Sequence, residues 1–199
     1  MTTEERILDA AVCCLGRFGL RRTSMAEVAT AAGLSRATVY NHFPDRDALI
    51  EAVTGRLARA FVAESEPVVR RRRTLAAQVG EAAVFIRAHL GDRAFATSPP
   101  GEEDHLLAVL LSARATHLVE AWVAFWDPFL AAAEARGEIR RGLDRRQAGE
   151  WIVRLLLSFA VMPSVSVDLD DPTAVRAFVR AHLVPGLQRK DDHALRPVL

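Results

Sequence analysis

The segment from residue 23 to residue 43 constrains the fold most, because its pattern is typical of two short helices joined by one tight turn. Ser24 and Ser35 each stand where a helix N-cap is needed. Gly33 supplies the positive φ that the turn requires, and Ala29, four residues earlier, is small where the helices must pack closest. Helices of this length are not stable alone. The pattern therefore predicts a helix-turn-helix, although a plain helical hairpin has the same outline.

The second helix of this segment carries side chains suited to DNA. Arg36 can donate two hydrogen bonds to guanine O6 and N7, while Ala37 and Thr38 can touch a thymine methyl group. Tyr40 and His42 can donate to phosphates and so fix the register without reading sequence. The predicted DNA contacts are Ser24, Ser35, Arg36, Ala37, Thr38, Tyr40, Asn41, His42 and Arg46. Two alternatives stay open: Asn41 could face water, and His42 could cap its own helix end.

The whole chain is predicted to be all-α, because apolar residues recur at helical spacing and sustained period-2 alternation is absent. Pro67 is expected to end the fourth helix near Ser65. The predicted helices, about nine in number, cover residues 2–18, 24–33, 35–43, 46–65, 74–90, 102–113, 116–136, 144–162 and 171–184. We expect a DNA-binding domain over residues 1–47 and a second helical domain over residues 48–199.

The charge excludes one class of protein, and the cysteines and the first residues predict a cytoplasmic protein. The net charge of +1 excludes a polybasic protein that binds nucleic acid by bulk charge. Cys13 and Cys14 are adjacent and cannot staple distant segments, so a reducing compartment is expected, with Cys14 on a buried stripe. The start of the chain lacks a signal-peptide pattern, and the longest uncharged stretch, residues 155–167, is too short to span a membrane.

The motif resembles the DNA-binding domain of the TetR family of bacterial transcriptional regulators. The resemblance is carried by TSMAEVATAAGLSRATVYNHF (23–43) and by RDAL (46–49), about a quarter of the chain. It implies a homodimer that binds palindromic double-stranded DNA and a C-terminal domain that binds a small effector and releases the DNA. The family often has lysine where this chain has Arg46, and either cation suits a phosphate beside a helix N-terminus.

An effector pocket is predicted around an aromatic stripe on the helix that begins at Thr116. The same stripe could instead be ordinary core. Because its lining offers few charges, a largely apolar or aromatic effector is expected. The predicted lining residues are Phe85, His89, Phe95, Leu106, Leu110, Trp122, Phe125, Trp126, Phe129 and Trp151.

The last two predicted helices are expected to form a two-fold interface. The helix over 144–162 is apolar on nearly every side, so a partner subunit is expected to cover one side of it. The predicted interface residues are Ile152, Leu156, Phe159, Val175, Phe178 and Val179. Effector binding would then tilt the fourth helix and change the separation of the two recognition helices, which must lie roughly 34–36 Å apart on DNA.

No enzyme, metal site or cofactor is predicted. Glu102 and His105 form a single Glu-x-x-His, whereas a di-iron bundle needs two such pairs. The arginines at 70–73 are expected to be a solvated connector, although they could contact DNA or anionic lipid. Two alternatives to a ligand-responsive repressor remain: a DNA-architectural protein without ligand, and a helical enzyme with an incidental DNA-binding head.

Overall fold

The computed structural model describes residues 1–19, 22–91 and 116–187, and over these ranges the chain is helical and contains no β-strand. The all-α prediction is therefore confirmed. The predicted helix over 102–113 lies outside the described residues. Eight α-helices are present in the described ranges: α1 Thr3–Phe18, α2 Met25–Ala32, α3 Arg36–His42, α4 Arg46–Arg70, α5 Leu75–Ile86, α6 Thr116–Ala135, α7 Arg145–Val161 and α8 Pro172–Phe178.

Side-chain caps set the helix starts where the sequence predicts them. Thr2 and Glu5 form a reciprocal capping box at α1, as the spacing of the two residues predicts. Asp45 accepts a hydrogen bond from the Ala48 amide at 2.8 Å at the start of α4. Asp144 caps α7 by accepting from the Gln147 amide at 3.0 Å. Each cap satisfies an amide that has no partner within its own helix.

The prediction that α4 ends near Ser65 is wrong, because the helix continues through Pro67 to Arg70. A proline inside a helix removes one backbone hydrogen bond and strains the preceding turn. The last turn is held by packing instead. Val69 is fully buried, and the Arg70 guanidinium pairs with Glu66 and lies 5.2 Å from the centre of the Phe129 ring. Tertiary contacts of the final turn therefore outweigh the local cost of the proline.

Two other helices end earlier than predicted and continue as different turns. The helix predicted over 74–90 is α-helical to Ile86 and then forms a π-helical turn at Arg87–Gly91. The last predicted helix is α-helical to Phe178, followed by a π-helical turn at Val179–Leu183 and a 3₁₀ turn at Val184–Leu187. Hydrophobic periodicity does not distinguish these turn types, because their spacings differ by less than one residue per turn.

The chain divides into two compact units. The first contains Met1–Ala63 and the described residues from His89 to Ala121; the second contains Glu64–Ala88 and the described residues from Trp122 onward. The core of the first unit continues past the predicted boundary at residue 47, since Leu49, Ile50 and Val53 of α4 are buried in it. The rest of this core comes from α1, α2 and α3, including Ile7, Ala11, Cys14, Val28, Ala29, Val39 and Phe43.

The second unit contains a carboxylate held by two arginines. Glu81 on α5 is buried, and its Oε2 accepts from Arg72 Nη2 at 2.7 Å while its Oε1 accepts from Arg176 Nη2 at 3.1 Å. Burial acts to raise the pKa of Glu81, but hydrogen bonds and positive charge from Arg176 and Arg72 outweigh it and hold the pKa below its ordinary value. This carboxylate therefore links the turn after α4, α5 and α8.

The two cysteines have opposite environments. Cys14 is buried in the core of the first unit, as its place on the apolar stripe predicts, whereas Cys13 is exposed. Burial raises the pKa of the Cys14 thiol, and the nearby Glu27 carboxylate adds to this effect. The two thiols on adjacent residues therefore differ in their access to solvent.

Candidate nucleic-acid interface and apolar groove

The helix α3 presents its polar side chains to solvent. Val39 is its one buried residue and is fully enclosed. Arg36, Asn41 and His42 are exposed, and Tyr40 keeps 50% of its surface accessible. With half of its surface accessible, Tyr40 can donate its hydroxyl to a DNA phosphate. The predicted DNA-contact residues of α3 thus lie on the solvent side of the helix, opposite the residue that anchors it.

Two of the predicted DNA contacts also hold the helices in place. The Ser24 hydroxyl accepts from the Glu27 amide at 3.2 Å and the Ser35 hydroxyl accepts from the Thr38 amide at 3.0 Å. The Ser35 and Thr38 hydroxyls are also 2.8 Å apart. Since the Thr38 hydroxyl is engaged in this way, its methyl group is the part suited to contact a base.

The guanidinium of Arg46 is used within the protein. Its Nε donates a hydrogen bond to the carbonyl oxygen of Thr23 at 2.8 Å, and its Nη1 lies 3.8 Å from the Asp47 carboxylate. The sequence predicts a phosphate contact for Arg46 and no role for Arg6. The Nη2 of Arg6 donates to the Ala32 carbonyl at 2.8 Å. Long side chains that reach across 20 or more residues leave no periodic signal in a sequence.

Part of the predicted effector lining forms an aromatic cluster on α6. The ring centres of Phe125 and Phe129 are 5.0 Å apart, and Trp126 lies 5.4 Å from Phe125 and 5.6 Å from Phe129. Trp126 and Phe129 are buried and Phe125 is half-buried. Trp122 is also buried. The aromatic stripe of the sequence is therefore a real cluster within the second unit.

The other predicted lining residues are dispersed or lie outside the described ranges. Phe85 is half-buried on α5. His89 is exposed and packs edge-on against Phe61 at 6.4 Å in the first unit. Phe95, Leu106 and Leu110 lie outside the described residues.

An apolar groove of about 450 Å³ lies between α7 and the C-terminal helical segment. Trp151 lines this groove, which does not include the aromatic cluster of α6. The prediction that groups Trp151 with that cluster is therefore not supported by its position. The Trp151 ring also packs close to Gly186, where an added Cβ would lie 3.1 Å from it. The groove is lined by Trp151, Leu155, Ser158, Phe159, Met162, Pro163, Ser164, Val165, Ser166, Val167, Leu169, Phe178, Val179 and His182.

Most of the predicted interface residues are buried in the chain's own core. Ile152, Leu156, Val175 and Val179 have 3% or less of their surface exposed. The reason is that α7 packs against α5 of the same chain, which leaves less surface for a partner than the all-round apolar pattern implies. Phe178 is 37% exposed, and Phe159, which is 7% exposed, lines the apolar groove described above.

The described ranges contain no cluster of three or more metal-ligating side chains. Among the helices of these ranges, none combines the length and the hydropathy that a bilayer crossing requires.

Comparison with known sequences places the N-terminal segment among DNA-binding regulators. Residues 7–53 match the profile of the bacterial regulatory proteins of the tetR family. The regulator Rv2250c of Mycobacterium tuberculosis is 42% identical over 57 residues, which are 28% of this chain and 30% of that protein. The match therefore spans less than a third of such relatives. A second regulator of that organism, Rv1255c, is 27% identical over 188 residues, or 91% of this chain and 83% of the relative.

Comparison with solved structures extends the likeness to more than nine-tenths of the chain. The transcriptional regulator FadR of Bacillus subtilis, solved with stearoyl-CoA, has a TM-score of 0.63 at 20% identity, over 92% of this chain and 99% of the other. The regulator RolR, solved with resorcinol, has a TM-score of 0.64 at 18% identity, over 94% of this chain and 88% of the other. At these identities the likeness concerns the fold.

Proposed function

We propose that this chain is a member of the TetR family, with that family's DNA-binding domain at its N-terminus, and that it acts as a homodimeric, ligand-released repressor. In this proposal residues 1–47 bind a palindromic operator, and residues 48–199 bind an effector and dimerise. The protein works in the cytoplasm, needs no cofactor and catalyses no reaction. The observation that carries the proposal is the solvent-facing set of donors on α3, opposite its buried Val39.

The arrangement of α3 supports sequence-specific DNA binding. A helix of this kind enters the major groove with its N-terminal residues at base edges. Arg36 is the first residue of α3 and is exposed, so its two-pronged guanidinium is placed to read guanine. Tyr40, His42 and the free amides at the start of α2 supply phosphate contacts.

Two observations support a largely apolar or aromatic effector. The cluster of Phe125, Trp126 and Phe129 consists of aromatic rings, and the Phe125 ring stays partly accessible. Two proteins of the same fold were solved with ligands of this kind: stearoyl-CoA, which carries a long acyl chain, and resorcinol, which is a small aromatic diol. We therefore place the effector beside the α6 cluster.

The apolar groove between α7 and the C-terminal segment supports a second copy as the partner. Phe178 and Met162 line it with 37% and 59% of their surface exposed, and Val165 stands fully in solvent at its edge. Apolar side chains concentrated in this way mark interaction surfaces. We assign the groove to the two-fold contact, with α4, which contributes residues to both compact units, as the element that couples effector to DNA.

Two substitutions separate base reading from phosphate binding. Arg36→Ala is expected to relax preference at one base position by about 1–3 kcal/mol, because it removes a bidentate guanine contact. Tyr40→Phe should weaken binding to all sequences alike, because it removes one phosphate donor. Fluorescence anisotropy on duplexes selected from random DNA, and on scrambled duplexes, measures both effects. Undiminished binding by both variants would refute the assignment of α3 as the recognition helix.

A thermal shift assay tests the effector. Long-chain acyl compounds and small phenols are expected to raise the midpoint of unfolding, since a ligand at 100 times its Kd stabilises a protein by about 2.7 kcal/mol. Phe125→Ala should reduce the shift, because Phe125 is the half-buried member of the cluster. Phe178→Leu, in the groove, is the control and should leave it unchanged. DNA binding that no such compound weakens would favour the architectural alternative.

A further inference from the structure

The helix α2 is held at both of its ends by arginines that come from other helices. We propose that Arg6 of α1 and Arg46 of α4 are positioning residues, which fix α2 and thereby orient the recognition helix α3 for specific DNA binding. This inference rests on the proposed function of α3. Neither residue needs to touch a base, because each acts through the backbone of the helix-turn-helix.

At the C-terminal end of α2, Arg6 satisfies a carbonyl that the helix cannot satisfy itself. The Gly33 amide is directed to the Thr30 carbonyl and the Leu34 amide to the Ala29 carbonyl. The carbonyl of Ala32, the last residue of α2, receives the Arg6 guanidinium at 2.8 Å instead. The last turn of α2 contains no basic residue, so Arg6 also provides the positive charge that a helix C-terminus favours.

This contact is made directly at the turn of the helix-turn-helix. Gly33 has φ +64°, a left-handed conformation in which a side chain is strained. The Nη2 of Arg6 lies so near that a Cβ at Gly33 would stand 3.6 Å from it. A guanidinium that donates to the residue before the turn restrains the direction in which the chain leaves α2. The direction of α3 follows from that turn.

At the N-terminal end of α2, Arg46 holds the residue that precedes the cap. Thr23 is almost fully buried, and its amide and hydroxyl both donate to the Gly19 carbonyl, at 3.0 Å and 2.8 Å. Its carbonyl is directed to Arg46 Nε at 2.8 Å. All polar groups of Thr23 are therefore engaged, and the chain enters the Ser24 cap in one fixed orientation. Arg46, the first residue of α4, joins that helix to this point.

The recognition helix depends on α2 because it has little packing of its own. It spans seven residues and buries one of them, Val39. Helices this short are not stable in isolation, so α3 takes its orientation from α2 and from the turn. A small rotation of α2 would displace Arg36 from a base edge, whereas contacts to the uniform phosphate backbone would tolerate it. Loss of either arginine should therefore reduce specific binding more than non-specific binding.

Salt dependence separates a positioning residue from a phosphate ligand. Each phosphate contact contributes about 0.9 to the slope of log affinity against log salt. Loss of a phosphate ligand lowers that slope and weakens all sequences alike. Loss of a positioning residue leaves the slope unchanged and reduces the ratio of specific to non-specific affinity. Lysine in place of Arg46 sharpens the contrast: it keeps the charge, but its Nζ is one atom farther along the side chain than the Nε that donates to Thr23.

The experiment measures the affinity of the full-length protein for a selected duplex and for a scrambled duplex over a range of salt concentrations. The variants are Arg6→Gln, Arg6→Lys, Arg46→Lys and Arg46→Gln, with Arg59→Gln, an exposed arginine on the same helix as Arg46, as the matched control. Circular dichroism fixes a working temperature below the unfolding of every variant. Arg6→Gln and both Arg46 variants should lose about tenfold in specificity ratio with an unchanged slope. Arg6→Lys should recover most of the specificity ratio that Arg6→Gln loses. Arg59→Gln should have the specificity ratio of the wild type.

Three outcomes would overturn the inference or its basis. If Arg6→Gln keeps the wild-type ratio of specific to non-specific affinity, Arg6 has no positioning role. Normal binding by Arg46→Lys, together with a slope lowered by about 0.9 in Arg46→Gln, makes Arg46 a phosphate ligand only. A wild-type protein with no preference among sequences refutes the proposed function itself, and this failure is distinct from the other two.

Discussion

Phe178→Asp is expected to yield a folded monomer. Phe178 lines the apolar groove with 37% of its surface exposed, so a carboxylate there can remain hydrated in the free chain. In a two-fold contact the substitution occurs twice, and each buried carboxylate costs about 2 kcal/mol. The two together should weaken dimerisation roughly 1000-fold. Analytical ultracentrifugation measures the change in mass, and circular dichroism verifies the fold.

Leu156→Asp should behave differently, although it lies on α7 in the same predicted interface. Its side chain is 3% exposed within the chain's own core, so a carboxylate there has no access to water. The cost, more than about 4 kcal/mol, is comparable with the whole stability of a small domain, and we expect the variant to unfold. Phe178→Leu keeps an apolar side chain and should remain dimeric. Dimers that survive Phe178→Asp would refute the assignment of the groove.

The second large effect is expected at Glu81. Glu81→Gln should destabilise the protein by about 2 kcal/mol, because it leaves the Arg72 and Arg176 guanidinium groups without their shared carboxylate. This loss of stability is smaller than the loss expected on breaking a fully buried ion pair, since both arginines keep more than a third of their side-chain surface in water. Urea unfolding followed by circular dichroism measures the loss. Glu66→Gln, which breaks the exposed pair with Arg70, is the matched control and should cost well under 1 kcal/mol.

The stabilisation by Glu81 should also depend on pH. Because the folded pKa lies below the ordinary value of 4.5, the folded state favours the ionised carboxylate. The contribution is therefore complete above about pH 4.5 and is lost as the pH falls through the folded pKa. In Glu81→Gln this part of the acid dependence should be absent. Equal acid sensitivity of the two proteins would contradict the role of the carboxylate.

The N-terminal third of the fold could be predicted because its signals are local. The capping box of Ser24, the positive φ of Gly33 and the burial of Val39 all follow from spacings of a few residues. Local signals also fix which side of α3 faces solvent, and therefore the candidate DNA-contact residues. The resemblance to a family rests on the same short segment.

The remaining features depend on contacts between distant residues. Periodicity predicts that the sides of α7 are buried but not whether the chain itself or a partner buries them, and Leu156 proved to be internal. Pro67 marks a helix end by local rules, yet the buried Val69 carries α4 beyond it. The hydrogen bond from Arg6 to Ala32 spans 26 residues and has no local signal at all. The sequence alone therefore predicts which helix contacts DNA, but not the hydrogen bonds from Arg6 and Arg46 at the ends of α2.

The unequal cysteines provide a built-in attachment point for a spectroscopic label. The chain has two thiols, and only Cys13 is open to solvent, so a maleimide or nitroxide reagent should attach once per chain without any substitution. In a dimer this places one label on each DNA-binding head. Pulsed electron spin resonance could then read the distance between the heads directly, in solution, before and after a candidate effector is added. A label on Cys13 would thus report the change in distance that the proposed release of DNA requires.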